Sequence, residues 1–266
     1  MGLEESAFAL TDLASNHRVC IATKDKTVKS LLSLVQAYQA QSGVKLKSIR
    51  TDNEYHNEPL AGWCVSNNIK LSVCAPHTHQ QNPVAENSIK TIKEVTRVNN
   101  IHAKTGRKLR AYTLPYSAKQ LNMGPTNADK TGQRRSPNTM WPKAPWNHST
   151  QVLYPWGCLC YGHEGKRSND PNEAPRSRQG IFVGHSFKSS GYLVYHMDTD
   201  TVMTYGYVEA FVNRFPFRDR QLTGESEYTL TDGDWRGWCE HRPNEVPSVN
   251  FVEFCLGKQL QVICPR

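Results

Sequence analysis

The sequence predicts an α/β chain followed by a small all-β unit, and three observations predict it. Up to residue 105 the segments alternate in the order β-β-α-β-α-β-α, which suggests a mixed sheet with helices on its faces. From Leu153 the chain breaks into short β-rich runs separated by Gly, Asp and Asn, as a small antiparallel barrel or sandwich would. A length of 266 residues with 38% hydrophobic side chains suffices for one large domain or two small ones with a core.

Residues 7–24, "AFALTDLASNHRVCIATK", alternate around the turn "DLASN" as a hairpin does, with β-branched Val19, Ile21 and Thr23. Residues 27–42 set Val28, Leu31, Leu32, Val35 and Tyr38 at helical spacing, with Thr27 as N-cap and Gly43 as the stop. "KLKSIRTD" then reads as a short strand, "PLAGWCVSNNI" as a second amphipathic helix and "KLSVCAP" as another strand. A polar loop, "HTHQQNP", leads into the long helix "VAENSIKTIKEVTRVNNIHAKT". After Gly106 the pattern weakens into a Pro-rich, turn-rich connector. "WGCLCYGH", "RQGIFVGHS", "GYLVYHMD" and "TVMTYGYVEAF" are the later strands, and residues 220–266 show no usable periodicity.

A formal charge of +8 favours a polyanionic partner if it is clustered, and it is. Between Asn87 and Arg135 stand eleven Lys or Arg, among them Lys90, Lys93 and Arg97, against Glu94 and Asp129. No run of about 18 apolar residues occurs, so no membrane span is expected. The start "MGLEESAFAL" lacks a signal peptide's basic region and apolar core, so an intracellular location is expected. Eight scattered cysteines without paired C-x-x-C knuckles read as free core thiols rather than as disulfides or a zinc site.

Two carboxylates invite chemistry. Asp52 follows a strand and Glu86 opens the long basic helix, so both can face one site and share a divalent metal. Two Mg²⁺ or Mn²⁺ ions clamp the attacking and leaving oxygens of a phosphodiester, and such hard cations take oxygen ligands. The residues alone leave a second reading open, in which Asp52 caps a turn and Glu86 only complements the helix dipole. His77 and His79, two apart in the polar loop, read as solvated or DNA-facing, because Mg²⁺ rarely takes imidazole.

"IRTDN", "EYHNEPLAGWCVSNNIKLSVCAPHTHQQNPVAENSIKTIKE", the connector "RSPNTMWPKAPWNHSTQVLYPWGC" and "RQGIFVGHSFKSSGYLVYHMDTDTVMTYGYVEAF" together resemble the integrase of copia-type retrotransposons, over roughly residues 7–219. The resemblance implies a ribonuclease H-like core that cuts and joins DNA with three acidic metal ligands, followed by a small SH3-like β-barrel. In the latter, Gly184, Gly191 and Tyr192 match the glycine-tyrosine turn. Residues 1–110 would form the core, 111–152 a helical and irregular connector, 153–219 the barrel and 220–266 a tail. Asp52 matches the second acid and Glu86 the third, as ligands of Mg²⁺ or Mn²⁺. Gln81 and Asn82 match the loop that contacts DNA. Lys90 and Lys93, four and seven residues after Glu86, share its helical face and suit phosphate binding, as does Arg97; a solvated basic face is the alternative. Implied partners are DNA and a second copy of the chain, with neither a membrane nor a small-molecule substrate, and the implied location is the nucleus.

The sequence departs from the family in three places. No segment matches the opening His-x-Asp-x-x-Gly-Pro, so a truncated start is expected, without the first strand and the first acid. Either another segment fills the strand's place or the fold is marginal, because each buried orphan backbone group costs about 1–3 kcal/mol. Two residues are missing after Asp52, where Asn53 stands in for a Gly-containing turn. Pro83 replaces the loop Gly, and Ile89 replaces an Asn after the third acid. Three readings follow: a metal-dependent polynucleotidyl transferase, a catalytically dead DNA-binding remnant, or a non-functional truncated copy of an element.

Overall fold

In the computed structural model the described residues are 6–23, 27–43, 45–51, 58–73, 83–125, 132, 134–141, 152–165, 176–187, 189–222 and 252–253. They group into two compact units, one of residues 1–94, 117–148 and 245–266, the other of residues 95–116 and 149–244. This grouping divides the chain at other points than 110, 152 and 219.

In the first unit, β1 (Ser6–Thr11) and β2 (Arg18–Thr23) form the expected antiparallel hairpin, in register from Ser6 opposite Thr23 to Thr11 opposite Arg18. The turn closes because Asp12 N–H donates to the His17 carbonyl at 2.8 Å and Asn16 takes the left-handed conformation at φ 59°. Asn reaches that region at low cost. The Asp12 carboxylate accepts from the Ser15 N–H at 2.8 Å and from the Ser15 hydroxyl. His17 Nδ1 lies 2.7 Å from the Tyr38 hydroxyl, and the His17 ring stacks on Trp141 at 5.2 Å. Burial, and then the nearby Asp12 charge, hold the Tyr38 phenol well above its ordinary pKa.

Helix α1 (Val28–Ser42) begins and ends where its caps dictate. The Thr27 side chain accepts from Ser30 N–H, and Gly43, at φ 62°, donates its N–H to the Gln39 carbonyl. Leu31, Leu34, Val35 and Tyr38 form its buried stripe. Strand β3 (Ser48–Thr51), helix α2 (Glu58–Ser66) and β4 (Lys70–Val73) make a crossover unit in which β3 and β4 are parallel, Thr51 opposite Val73. Leu60 and Cys64 are the buried positions of α2, and Asn68 at φ 55° turns the chain into β4. Helix α3 (Pro83–Ala103) starts on proline, whose missing N–H costs nothing at a first helical position.

Two elements lie where the residue pattern alone showed none, the first within the stretch for which the resemblance implied a helical and irregular connector. Helix α4 (Arg110–Met123) occupies part of the stretch read as connector. Pro115 within it removes one main-chain donor and obscures its pattern. After the short α5 (Pro137–Met140) and the second unit, β10 (Val252–Glu253) stands in the stretch read as patternless. It pairs antiparallel with β3, Val252 opposite Thr51 and Glu253 opposite Arg50, giving the order β10-β3-β4.

The second unit is an antiparallel five-stranded sheet of β5 (Leu159–His163), β6 (Ser177–His185), β7 (Tyr192–His196), β8 (Thr201–Tyr205) and β9 (Val208–Phe211). The order is β8-β7-β6-β5-β9, and α6 (Pro216–Leu222) follows. Trp156, Cys158, Cys160, Phe182, Val194 and Tyr205 belong to its core, together with Ala103 and Leu109. His196 is fully buried, with Nδ1 2.8 Å from the Gln179 carbonyl and Nε2 2.8 Å from the Tyr205 hydroxyl. Trp156 Nε1 donates to Thr105 Oγ1 at 2.8 Å, and Thr105 and Thr113 both donate to Asn100 Oδ1. Every polar group of that set has a partner, which is what burial requires. Cys64, Cys158 and Cys160 are buried free thiols, as expected, and Cys20 is buried too; burial pushes the Cys158 thiol up to about 12.

Candidate nucleic-acid interface

Helix α3 decides what the candidate residues can do. Its buried positions Ala85, Ser88, Ile92 and Thr96 recur every three or four residues, so the row Glu86, Lys90, Lys93 and Arg97 turns away from the core. Glu86, Lys90 and Arg97 are exposed and Lys93 is half-buried. With a rise of about 1.5 Å per residue the row extends roughly 16 Å along the helix, a length commensurate with several phosphates of a nucleic-acid strand. Glu94, exposed four residues after Lys90, offsets part of the charge. Glu86 lies in the first turn, where the helix dipole favours a carboxylate.

Asp52, Gln81 and Asn82 lie outside the described residues, as do His77 and His79. The residue before Asp52, Thr51, ends β3 fully buried, and its Oγ1 finds no hydrogen-bond partner. Among the described residues no group of three or more His, Cys, Asp or Glu could hold a metal ion. Glu86 is the one expected metal ligand among them, and a single exposed carboxylate does not fit a Mg²⁺ or Mn²⁺ centre.

Two features escaped the sequence reading. Arg18 of β2 donates from Nε to Ser88 Oγ of α3 at 3.3 Å, and burial lowers its pKa. Lys119 of α4 is held down to about 8 by desolvation. Neither signal exists in one dimension, since each depends on what the fold lays over the side chain. Among the described residues no helix is long and apolar enough to cross a membrane.

No protein-family model matches the chain. The HTLV-2 integrase catalytic core domain, solved in complex with magnesium in a trimeric form, is 16% identical, with a TM-score of 0.39 over 49% of this chain and 80% of that one. A chain of the simian T-cell lymphotropic virus intasome, solved in complex with PP2A regulatory subunit B56 gamma, is 14% identical, with a TM-score of 0.41 over 80% of this chain and 81% of that one. Both scores are too low to argue a fold from. In sequence, the retrovirus-related Pol polyprotein from transposon TNT 1-94 of Nicotiana tabacum is 25% identical over 174 residues, 65% of this chain. The chain spans 13% of that polyprotein's length. Over those 174 residues the chain is similar to part of a retrotransposon Pol polyprotein.

Proposed function

We propose that the chain is an integrase-derived, nucleic-acid-binding protein whose ancestral activity was DNA integration by metal-dependent phosphodiester cleavage and strand transfer. The observation behind this reading is the outward row Glu86, Lys90, Lys93 and Arg97 on α3, directly after "QQNPVA". Lysine and arginine on one helix face neutralise phosphates without reading bases, so binding is sequence-tolerant and salt-dependent. Asp52 and Glu86 are then inherited Mg²⁺ or Mn²⁺ ligands, Gln81 and Asn82 loop contacts to DNA, and the five-stranded sheet an SH3-like module. A ribonuclease H-like core, a nuclear location and self-association belong to the same reading.

Binding without turnover is the second reading, because neutralisation of phosphates by Lys90, Lys93 and Arg97 needs no metal ligand. Duplex-DNA affinity measured against salt tests the common part. Replacing Lys90 and Lys93 by Ala should weaken binding and reduce the slope of log K against log salt by about 1 for each phosphate no longer neutralised. An unchanged slope and affinity would remove α3 from the interface. Nicking of DNA in Mn²⁺ separates the two readings: activity abolished by Asp52→Asn and by Glu86→Gln supports catalysis, and inert protein supports the remnant.

A further inference from the structure

Strand β1 has a burial pattern at odds with an edge. Ala7, Phe8, Ala9 and Leu10 are consecutive and each at most 5% exposed, so both faces of the strand are covered, as in the middle of a sheet. Its strand partner among the described residues is β2 alone. Cα atoms of β10 come within 8 Å of those of β1, while β10 is itself hydrogen-bonded to β3, so β10 neighbours both strands. We propose that the space between β1 and β3 is a strand-acceptor site, which takes an extended segment by main-chain pairing, and that the chain's own segment around Val252–Glu253 is its occupant.

Pairing of this kind is carried by main-chain groups and is tolerant of sequence. The sequence around β10, "FVEFCL", is apolar at all but one position, as a strand flanked by buried neighbours requires. Peptide capture by an open sheet position follows the same physics when the strand comes from another molecule.

A cross-link tests the placement in the full chain. Thr51→Cys with Val252→Cys sets two thiols at directly opposed positions, and mild oxidation followed by peptide mapping reads that one disulfide against the eight native cysteines. It should form faster in the native protein than in urea; equal rates would overturn the assignment. The acceptor property is tested with Val252→Pro. Proline fixes φ and cannot donate, so it disfavours the extended pairing of β10 with β3. A labelled synthetic peptide of residues 248–258 should then bind the variant about tenfold more tightly than the wild-type chain, whose site is filled. Equal binding, or none to either protein, would overturn it. Should the proline variant fail to fold, the same peptide is added to the cysteine pair with its disulfide open and closed; binding that closure does not reduce would equally overturn it.

Discussion

Asn122 satisfies both main-chain groups of Arg18: its Nδ2 donates to the Arg18 carbonyl at 2.6 Å, and its Oδ1 accepts from the Arg18 N–H at 2.8 Å. One side-chain amide thus does for β2 what a neighbouring strand would do, and it ties α4 to the hairpin. Asn122 is 4% exposed, so its loss leaves the two groups without water. Asn122→Ala should cost about 2–6 kcal/mol, the sum of two buried unmade bonds, and Asn122→Asp should be no milder, because it sets a buried carboxylate against the Arg18 carbonyl. Urea unfolding of the three proteins measures it, and equal stability would show that the pairing contributes nothing.

Lys119 gives a pH dependence with a definite sign. Its folded pKa is about 8 against an ordinary value of 10.5, so the unfolded chain holds the proton where the folded one does not. The stability penalty is full below pH 8 and is relieved as pH rises from about 8 to 10.5, so this residue's contribution makes stability rise across that window. In Lys119→Met the rise should vanish. Denaturation midpoints at pH 7, 8, 9 and 10 compare the two slopes.

Gly157 has no room for a side chain. At φ 75° it lies in the left-handed region, and an added Cβ would meet Ala103 Cβ at 2.5 Å. Strain and overlap act together in Gly157→Ala, which should cost roughly 2–4 kcal/mol. Gly165→Ala, where nothing lies within 4 Å of the added carbon, is the control and should change the melting temperature little.

His196 and Tyr205 form the second unit's buried polar pair. The Gln179 carbonyl fixes Nδ1 as the donor, which leaves Nε2 to accept from the Tyr205 hydroxyl. Tyr205→Phe keeps the ring but orphans Nε2, and should cost about 1–3 kcal/mol. Exchange protection of the β7 amides should fall with it; unchanged protection would mean that the contact is idle.

Much of this was legible in one dimension where local chemistry decides the element. Thr27 and Gly43 bound α1 because a hydroxyl cap and a left-handed residue do so in any context, and the "DLASN" turn marks its own hairpin. The shared face of Glu86, Lys90 and Lys93 follows from helical period alone. What stayed hidden depends on distant partners: the Arg18 and Asn122 pairing spans 104 positions, and α4 conceals its helix behind Pro115. β10 is two residues long, too short for any period to register. Nor can a sequence weigh what lies over Lys119, whose depressed pKa comes from burial alone.

Pairing of Val252 with Thr51 also sets a clock on biosynthesis. Roughly 200 residues separate the two strands, so a ribosome adding about 5–20 residues per second releases β3 some 10–40 s before β10 exists. For that interval the nascent hairpin and crossover unit hold an open sheet position flanked by the apolar run Ala7–Leu10. Chaperone engagement and misassembly between neighbouring nascent chains on one polysome would therefore concentrate in that window.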